Sequence, residues 1–292
     1  MNSSEYMHLS LAGLSVGDAL GESFFGFPGT VSQRIERREL PSPPWRYTDD
    51  TEMAISIVEI LEQHGRIEPD QLAQAFAKRY TPWRGYGAGA HRLLQSFQQG
   101  ADWRVEAANL FGGTGSYGNG AAMRVAPLGA YLSAHLEGVC ENARLSAQIT
   151  HCHPEGIAGA IAVAIAAALA VKIGEGEQIS STRFLAQVIE NVPESETRQG
   201  IVNAMKTPFS TAPQEVASQL GSGGRISAQD TVPFVLWCAA LHLEDYEEAF
   251  WTTVSGLGDR DTTCAMVGGI VALSAREWGI PAAWIEAREP LQ

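Results

Sequence analysis
Apolar residues recur every three to four positions along almost the whole chain, and runs alternating apolar with polar, as a half-buried strand would, are scarce. The spacing predicts helices over residues 7–20, 52–64, 71–80, 91–98, 120–134, 140–150, 157–171, 182–191, 196–205, 213–220, 232–241, 246–254 and 262–278. In the second of these Met53, Ile57, Ile60 and Leu61 form one stripe, and Gly65 is the stop. Pro213 suits the first position of its helix, where no backbone N–H is needed. The apolar run 157–171 is rich in Ala and falls short of the ~20 residues that span a bilayer, so it predicts a core helix closely approached by its neighbours. The expectation is an all-α fold of about a dozen helices. No repeat of roughly 20 to 50 residues points to a solenoid. No Pro/Gly/Ser-rich linker or charge run divides residues 1–292, which are expected to form one domain.

Charge narrows the function classes. The net charge is −13, with Lys+Arg 20 against Asp+Glu 33, and no basic tract occurs. Nucleic-acid affinity rests largely on phosphate neutralisation by Lys and Arg, so sequence-independent binding to DNA or RNA is not expected. A small anionic ligand would have to be held by metal, backbone amides and helix N-termini. The first residues lack a basic segment followed by an apolar one, which disfavours a secretory signal. Cys140, Cys152, Cys238 and Cys264 are scattered without CxxC spacing, against both a zinc ribbon and a disulfide framework. The expectation is a cytoplasmic protein with reduced thiols and no membrane partner.

Two acidic, threonine-bearing clusters stand near opposite ends of the chain: Thr48, Asp49 and Asp50, and then Asp259, Asp261 and Thr262. Thr and Asp before a helix are also preferred N-caps, and Asp49 followed by Glu52 fits a capping box. Capping needs one side-chain oxygen per helix, however, and each cluster offers three. Adjacent carboxylates repel one another, and a hard divalent cation such as Mg²⁺ is the usual means by which such crowding persists. The clusters are therefore expected to be two halves of one metal site.

Glycine is concentrated in three joints, 85–89, 112–120 and 221–224. The middle one runs into the helix predicted from residue 120, so its backbone can approach a ligand and present N–H groups at a helix N-terminus. It matches neither GxxxxGK[ST] nor GxGxxG after a strand. Phe111 and Tyr117 beside it are placed to stack on a base.

Gly17-Asp18-Ala19-Leu20-Gly21, Tyr47-Thr48-Asp49-Asp50-Thr51-Glu52-Met53, Gly115-Ser116-Tyr117-Gly118-Asn119-Gly120-Ala121-Ala122-Met123-Arg124, Thr150-His151 and Gly258-Asp259-Arg260-Asp261-Thr262, in that order, resemble the ADP-ribosylglycohydrolase family over nearly the whole chain. The resemblance implies an orthogonal all-α bundle with two divalent cations, Mg²⁺ or Mn²⁺, at the floor of a cleft. It would put Thr48, Asp49, Asp50 and Asp261 on one ion and Asp259, Asp261 and Thr262 on the other. Gly115, Ser116, Tyr117, Gly118, Asn119 and Gly120 would cradle the diphosphate and ribose of ADP-ribose, with Phe111, Met123 and His151 lining the same cleft. The activity implied is hydrolysis of ADP-ribose from an acceptor, and the Ser-Tyr-Gly-Asn-Gly wording is closest to members acting on O-linked ADP-ribose.

One position departs from the family pattern: many members carry a glutamate four residues after Gly-Asp-Ala-Leu-Gly, where this chain has Phe25. The acid nearby is Glu22, so Glu22, Asp49 and Asp50 are the candidates for handling the proton. A non-catalytic ADP-ribose binder on the same scaffold is the alternative that Phe25 motivates. A prenyl-diphosphate enzyme fits less well, because Asp259 and Asp261, two residues apart, cannot share a helix face. His151-Cys152-His153 lacks the further ligands of a tetrahedral zinc site. Arg124 is placed either to meet a phosphate or to enter a buried ion pair, and the seven tryptophans, without regular spacing, are expected to be mostly anchors in the core or loops.

Overall fold
A computed structural model describes residues 1–275 and 279–291. Among these there are sixteen α-helices and no strands, only two isolated bridges, Trp45 with Arg288 and Gly118 with Ser227. The first helix, α1 (Ser3–Glu22), opens on a reciprocal cap in which Asn2 Oδ1 accepts from Glu5 N at 3.0 Å and Glu5 accepts from Asn2 N at 2.8 Å. There follow α2 (Pro28–Glu36), α3 (Asp49–His64), α4 (Pro69–Arg79), α5 (Ala88–Gln98) and α6 (Trp103–Gly113). Gly65 ends α3 in the left-handed region, φ 70°, as its place in the pattern predicts. The second half comprises α7 (Ala126–Tyr131), α8 (Leu136–Gln148), α9 (Pro154–Glu175), α10 (Ser181–Asn191), α11 (Glu196–Lys206), α12 (Pro213–Leu220), α13 (Ala228–Leu241), α14 (Tyr246–Ser255), α15 (Arg260–Val271) and α16 (Ala282–Ala287).

Sixteen exceeds the expected dozen because α2, α6 and α16 bury too few side chains to leave a periodic signature; α6 buries only Ala107 and Leu110. The helix expected over 120–134 does not form. A three-residue 3₁₀ turn over Asn119–Ala121 is followed by a break and then by α7. Pro127 lacks the N–H that a helix running on from residue 120 would direct at Met123 O, and it sits instead in the first turn of α7. The helix expected over 262–278 ends at Val271, with residues 272–275 non-helical, and the last expected positions, with Trp278, lie outside the described residues. Among the other tryptophans Trp45, Trp237, Trp251 and Trp284 are buried anchors, whereas Trp83 is 80% exposed.

Helix α9 runs through the centre and is buried on every face, which is why its pattern has no polar side. It is long and apolar enough to cross a membrane by length and composition alone, yet 89% of its most apolar stretch is buried inside the protein. It is a core helix, as expected.

The pairing of α1 with α15 positions the acidic residues. A Cβ on Gly13, Gly17 or Gly21 would lie 2.3, 2.1 or 2.4 Å from the carbonyl oxygens of Gly268, Cys264 and Arg260 respectively. These helices therefore touch backbone to backbone, and the descending order of the partners makes them antiparallel. The C-terminal turn of α1 is thereby pressed against the N-terminal turn of α15. Glycine at every fourth position of one helix face is what permits this approach.

Candidate active site
Asp18 lies between Gly17 and Gly21 on α1 and is completely buried. Its carboxylate accepts from Thr48 N at 3.1 and 2.9 Å, from the Thr48 hydroxyl at 2.8 Å, from Thr51 N at 3.1 Å and from the Thr51 hydroxyl at 2.5 Å. Asp18 thus supplies from another helix the oxygens that satisfy the first turn of α3. This replaces the capping box expected from Asp49 and Glu52: the N-cap is Thr48, and Glu52 instead accepts from Thr81 N at 2.9 Å and the Tyr86 hydroxyl at 2.6 Å. Within its own motif Asp18 carries no sign of this role beyond the glycines that flank it.

Because Asp18 holds α3 and the glycine face holds α15, the two acidic clusters face each other. Burial raises the Asp18 carboxyl to about 6 in spite of its hydrogen bonds. Burial and then the Asp18 charge raise Asp49 to about 8. Asp50 is driven well above the carboxylate range by burial, then by the charges of Asp18 and Asp261, and Asp261 likewise by burial and then Asp259. The Thr48 hydroxyl is 2.8 Å from both Asp18 Oδ1 and Asp50 Oδ2 but has one proton to give.

Oδ1 of Asp50 and Oδ1 of Asp261 are buried with no hydrogen-bond partner among the described residues. Asp259 stands at the N-cap of α15 without making a capping bond. Orphaned, mutually repelling carboxylate oxygens beside threonine hydroxyls are the donor set of a hard cation. Among the described residues no three His, Cys, Asp or Glu side chains converge into a closed metal-binding group, so the clusters share an electrostatic field without forming a cage.

A cavity of about 460 Å³ opens beside these acids, within the size range of small-molecule sites. Asp49, Asp259, Asp261 and Thr262 form one wall. Ser116, Tyr117, Gly118, Asn119, Gly120 and Met123 line it from the glycine joint, with Phe111 and His151. Thr48, Asp50, Gly115 and Glu22 do not line it. Glu22 sits at the end of α1 with part of its surface open to solvent, its pKa raised by partial burial and then by the charges of Asp18 and Asp259. Gly115, at φ 75°, is packed on Cys152, whose Sγ would lie 2.4 Å from a Cβ there.

The joint does not feed an α-helix, so its amides are not those of a helix N-terminus. The Gly118 amide donates to Ser116 Oγ at 3.2 Å, and Asn119 Nδ2 donates to Asp259 Oδ2 at 2.8 Å and to Thr231 Oγ1 at 3.2 Å. Asn119 therefore ties the loop to the second acidic cluster. Phe111 and Tyr117, both exposed, stand 6.1 Å apart at 33° between ring planes.

Sequence reasoning misses other lining residues: Gly85, Gly87, Gly89, Leu93, Thr150, Arg225 and Ile226. The first three belong to a glycine joint that bears no chemical signature of its own, and Arg225 and Ile226 follow another. Asp49 N donates to Arg84 O at 2.7 Å, which sets residues 84–89 against the acids. Arg124 meets neither of its two expectations: fully buried, it donates to Ser146 O at 3.0 Å and Thr150 Oγ1 at 2.9 Å and lies 4.5 Å over the Phe76 ring. His151, Cys152 and His153 turn to separate partners, namely Thr150, Ala107 O and Glu155 N. Phe25 is 46% exposed, with the Arg260 guanidinium 4.6 Å over its ring.

Comparison with known proteins identifies the family. The family profile described as ADP-ribosylglycohydrolase matches residues 7–291. The chain is 32% identical to the ADP-ribosylhydrolase ARH3 of Homo sapiens, over 96% of this chain and 88% of that one, and 32% identical to that of Bos taurus, over 83% and 74%. A solved structure named as an ADP-ribosylglycohydrolase-related protein complex has the same fold, with a TM-score of 0.66 at 24% identity over 99% of this chain and 93% of that chain. The chain belongs to the ADP-ribosylglycohydrolase family and is a glycohydrolase.

Proposed function
We propose that the protein hydrolyses the bond between the anomeric carbon of ADP-ribose and an acceptor oxygen or nitrogen, in a reaction that depends on divalent cations. The observation that carries this reading is one cavity lined both by Asp49, Asp259 and Asp261 and by residues 116–120 with the Phe111–Tyr117 aromatic pair. Tyr117 and Phe111 would hold the adenine face. Ser116, Gly118 and Gly120 would lie along the diphosphate, and the terminal ribose would reach the acids. Two cations, Mg²⁺ or Mn²⁺, would be held by Thr48, Asp49, Asp50, Asp259, Asp261 and Thr262; when bound they supply charge that neutralises the carboxylates and lowers the pKa of a water. Asp261, whose carboxyl feels the charge of Asp259 and in turn raises Asp50, is proposed to serve both clusters. In the bond cleavage, water adds to C1″, the C1″–acceptor bond breaks with its electron pair going to the acceptor, and a carboxylate takes the water's proton while the departing acceptor gains one from a carboxyl group or solvent. Asp49, on the cavity wall, and Glu22, at the end of α1, are the carboxylates proposed for that transfer. A single domain and a cytoplasmic location with reduced thiols belong to the same proposal, supported by one apolar cluster from Tyr6 to Trp284 and four unpaired cysteines.

Phe25 favours a second reading, an ADP-ribose binder without turnover, because an exposed phenyl ring under Arg260 can move no proton. The two are separated by assaying serine-linked and arginine-linked ADP-ribose and O-acetyl-ADP-ribose with Mg²⁺ or with EDTA. Release of ADP-ribose that requires Mg²⁺ and is lost in Asp261→Ala is expected. Tight ADP-ribose binding without release from any substrate, together with gain of activity in Phe25→Glu, would establish the binder instead.

A further inference from the structure
His151 Nδ1 is 2.7 Å from Thr150 Oγ1, and the same oxygen is 2.9 Å from Arg124 Nη2. A guanidinium only donates, so Thr150 Oγ1 accepts from Arg124. Thr150 is buried, and its hydroxyl proton has Nδ1 as its acceptor. We infer that Arg124 and Thr150 are positioning residues that hold His151 as the neutral tautomer with its proton on Nε2 and present that N–H to a phosphate or ribose oxygen in the cavity. The opposite tautomer would place N–H and O–H protons against each other, or strand the hydroxyl proton in a buried site without an acceptor.

Three further observations fit this assignment. Burial and then the Arg124 charge push the His151 pKa down to about 3, so the ring stays neutral over the working range. Nε2 lies along the glycine loop: a Cβ on Gly118 or Gly120 would be 3.1 or 3.2 Å from it. Both glycines therefore leave the donor edge uncovered, a reason for glycine here besides ligand approach. Finally, the same cavity is lined by Asp49, Asp259 and Asp261, toward which an imidazolium would be drawn. A neutral N–H can bind an anionic oxygen without entering that competition. Arg124 thus acts on the cavity through Thr150 and His151 rather than by touching the ligand.

The identity of the ligand rests on the proposed function; the tautomer does not. The test is nitrogen NMR of histidine-labelled full-length protein, with His151 assigned by its loss in His151→Gln, combined with ADP-ribose calorimetry. In the wild type His151 should show a bare Nδ1 and a protonated Nε2 from pH 5 to 8. In Thr150→Val the two tautomers should mix and ADP-ribose affinity should fall about tenfold, equivalent to about 1.4 kcal/mol, while Thr150→Ser restores both. A protonated Nδ1 in the wild type, titration near the unperturbed value of about 6.5, or Thr150→Val with unchanged spectrum and affinity would overturn the inference. If Thr150→Val does not fold, the wild-type and Thr150→Ser spectra still decide. If the wild type binds no ADP-ribose, the proposed function fails, whereas the ligand-free spectrum still confirms or refutes the tautomer.

Discussion

Asp49→Asn is expected to stabilise the metal-free protein and to weaken its response to metal, two effects that a purely structural aspartate would not combine. Burial, followed by the charge of Asp18, raises the Asp49 carboxyl from 3.8 to about 8. The sign follows from proton binding. Between pH 3.8 and 8 the folded chain holds a proton that the unfolded chain has released, so the aspartate's contribution becomes more unfavourable as pH rises through that window. A pH of 7 lies about three units above the unfolded pKa of 3.8 and below the folded one, and at about 1.36 kcal/mol per unit the group costs folding about 4 kcal/mol there. At pH 5 the cost is only about 1 to 2 kcal/mol on the same scale. Asn has the shape of Asp and no such cost, so these figures bound the gain from above, because Asp18 and Asp49 share one titration.

Urea denaturation in EDTA should therefore show Asp49→Asn more stable than wild type by about 2 to 4 kcal/mol at pH 7 and by about 1 kcal/mol at pH 5. Mg²⁺ at 100 times its Kd should narrow that difference by about 2.7 kcal/mol if only the wild type gains from the ion. An asparagine variant that is less stable than wild type in EDTA, or a gain that does not grow with pH, refutes the crowding argument. Equal Mg²⁺ gains in the two proteins remove Asp49 from the metal-holding set.

Three further substitutions probe separate parts of the framework. Gly17→Ala would place a Cβ 2.1 Å from the Cys264 carbonyl oxygen, backbone that cannot swing aside, so thermal denaturation should show a loss of about 3 kcal/mol, and a wild-type melting temperature would remove the close α1–α15 contact. Asn119→Asp turns a donor to Asp259 into a like charge; the metal-free variant should lose stability, more at pH 8 than at pH 5, and a pH-independent loss would mean that the Asn119–Asp259 bond is incidental. Tyr117→Ala should weaken ADP-ribose binding by about 1 to 3 kcal/mol, the range for a base stacked on an aromatic ring, and calorimetry giving unchanged affinity would take the aromatic pair out of the base site.

The helical class is legible in the sequence because burial of one face leaves a periodic trace in helices such as α3. Helices α2, α6 and α16 are not, since their few buried side chains leave none. The expected helix over 120–134 misleads for a local reason: apolar residues around Ala121, Met123, Val125 and Leu128 keep a helical rhythm through Pro127, although the backbone there cannot. Both acidic clusters and the central glycine loop are legible because they concentrate unusual residue types within a few positions. Asp18 and Thr150 stand out only as parts of family motifs and Arg225 not at all, since their roles depend on contacts made in the fold.

Those distant contacts explain how a crowded acidic site persists in a stable fold. Nothing within 48–51 or within 259–262 would bring the two clusters together, and their charges oppose it. The driving contact lies elsewhere, in the uncharged glycine face of α1 against α15, which presses backbone on backbone and excludes water. Asp18, carried on that same turn of α1, then converts the helix pairing into an orientation of α3 through hydrogen bonds to Thr48 and Thr51. Asn119 extends the constraint to the glycine loop, so the two ends of the cavity, the aromatic loop and the acids, are set by one connected framework. The repulsion among the acids is thus held mainly by apolar packing and hydrogen bonds, with the Arg124 charge felt by Asp49 and the Arg260 charge by Asp259 and Asp261. That arrangement leaves Oδ1 of Asp50 and Oδ1 of Asp261 without partners among the described residues and keeps the carboxyls' affinity for positive charge available for something that binds from outside.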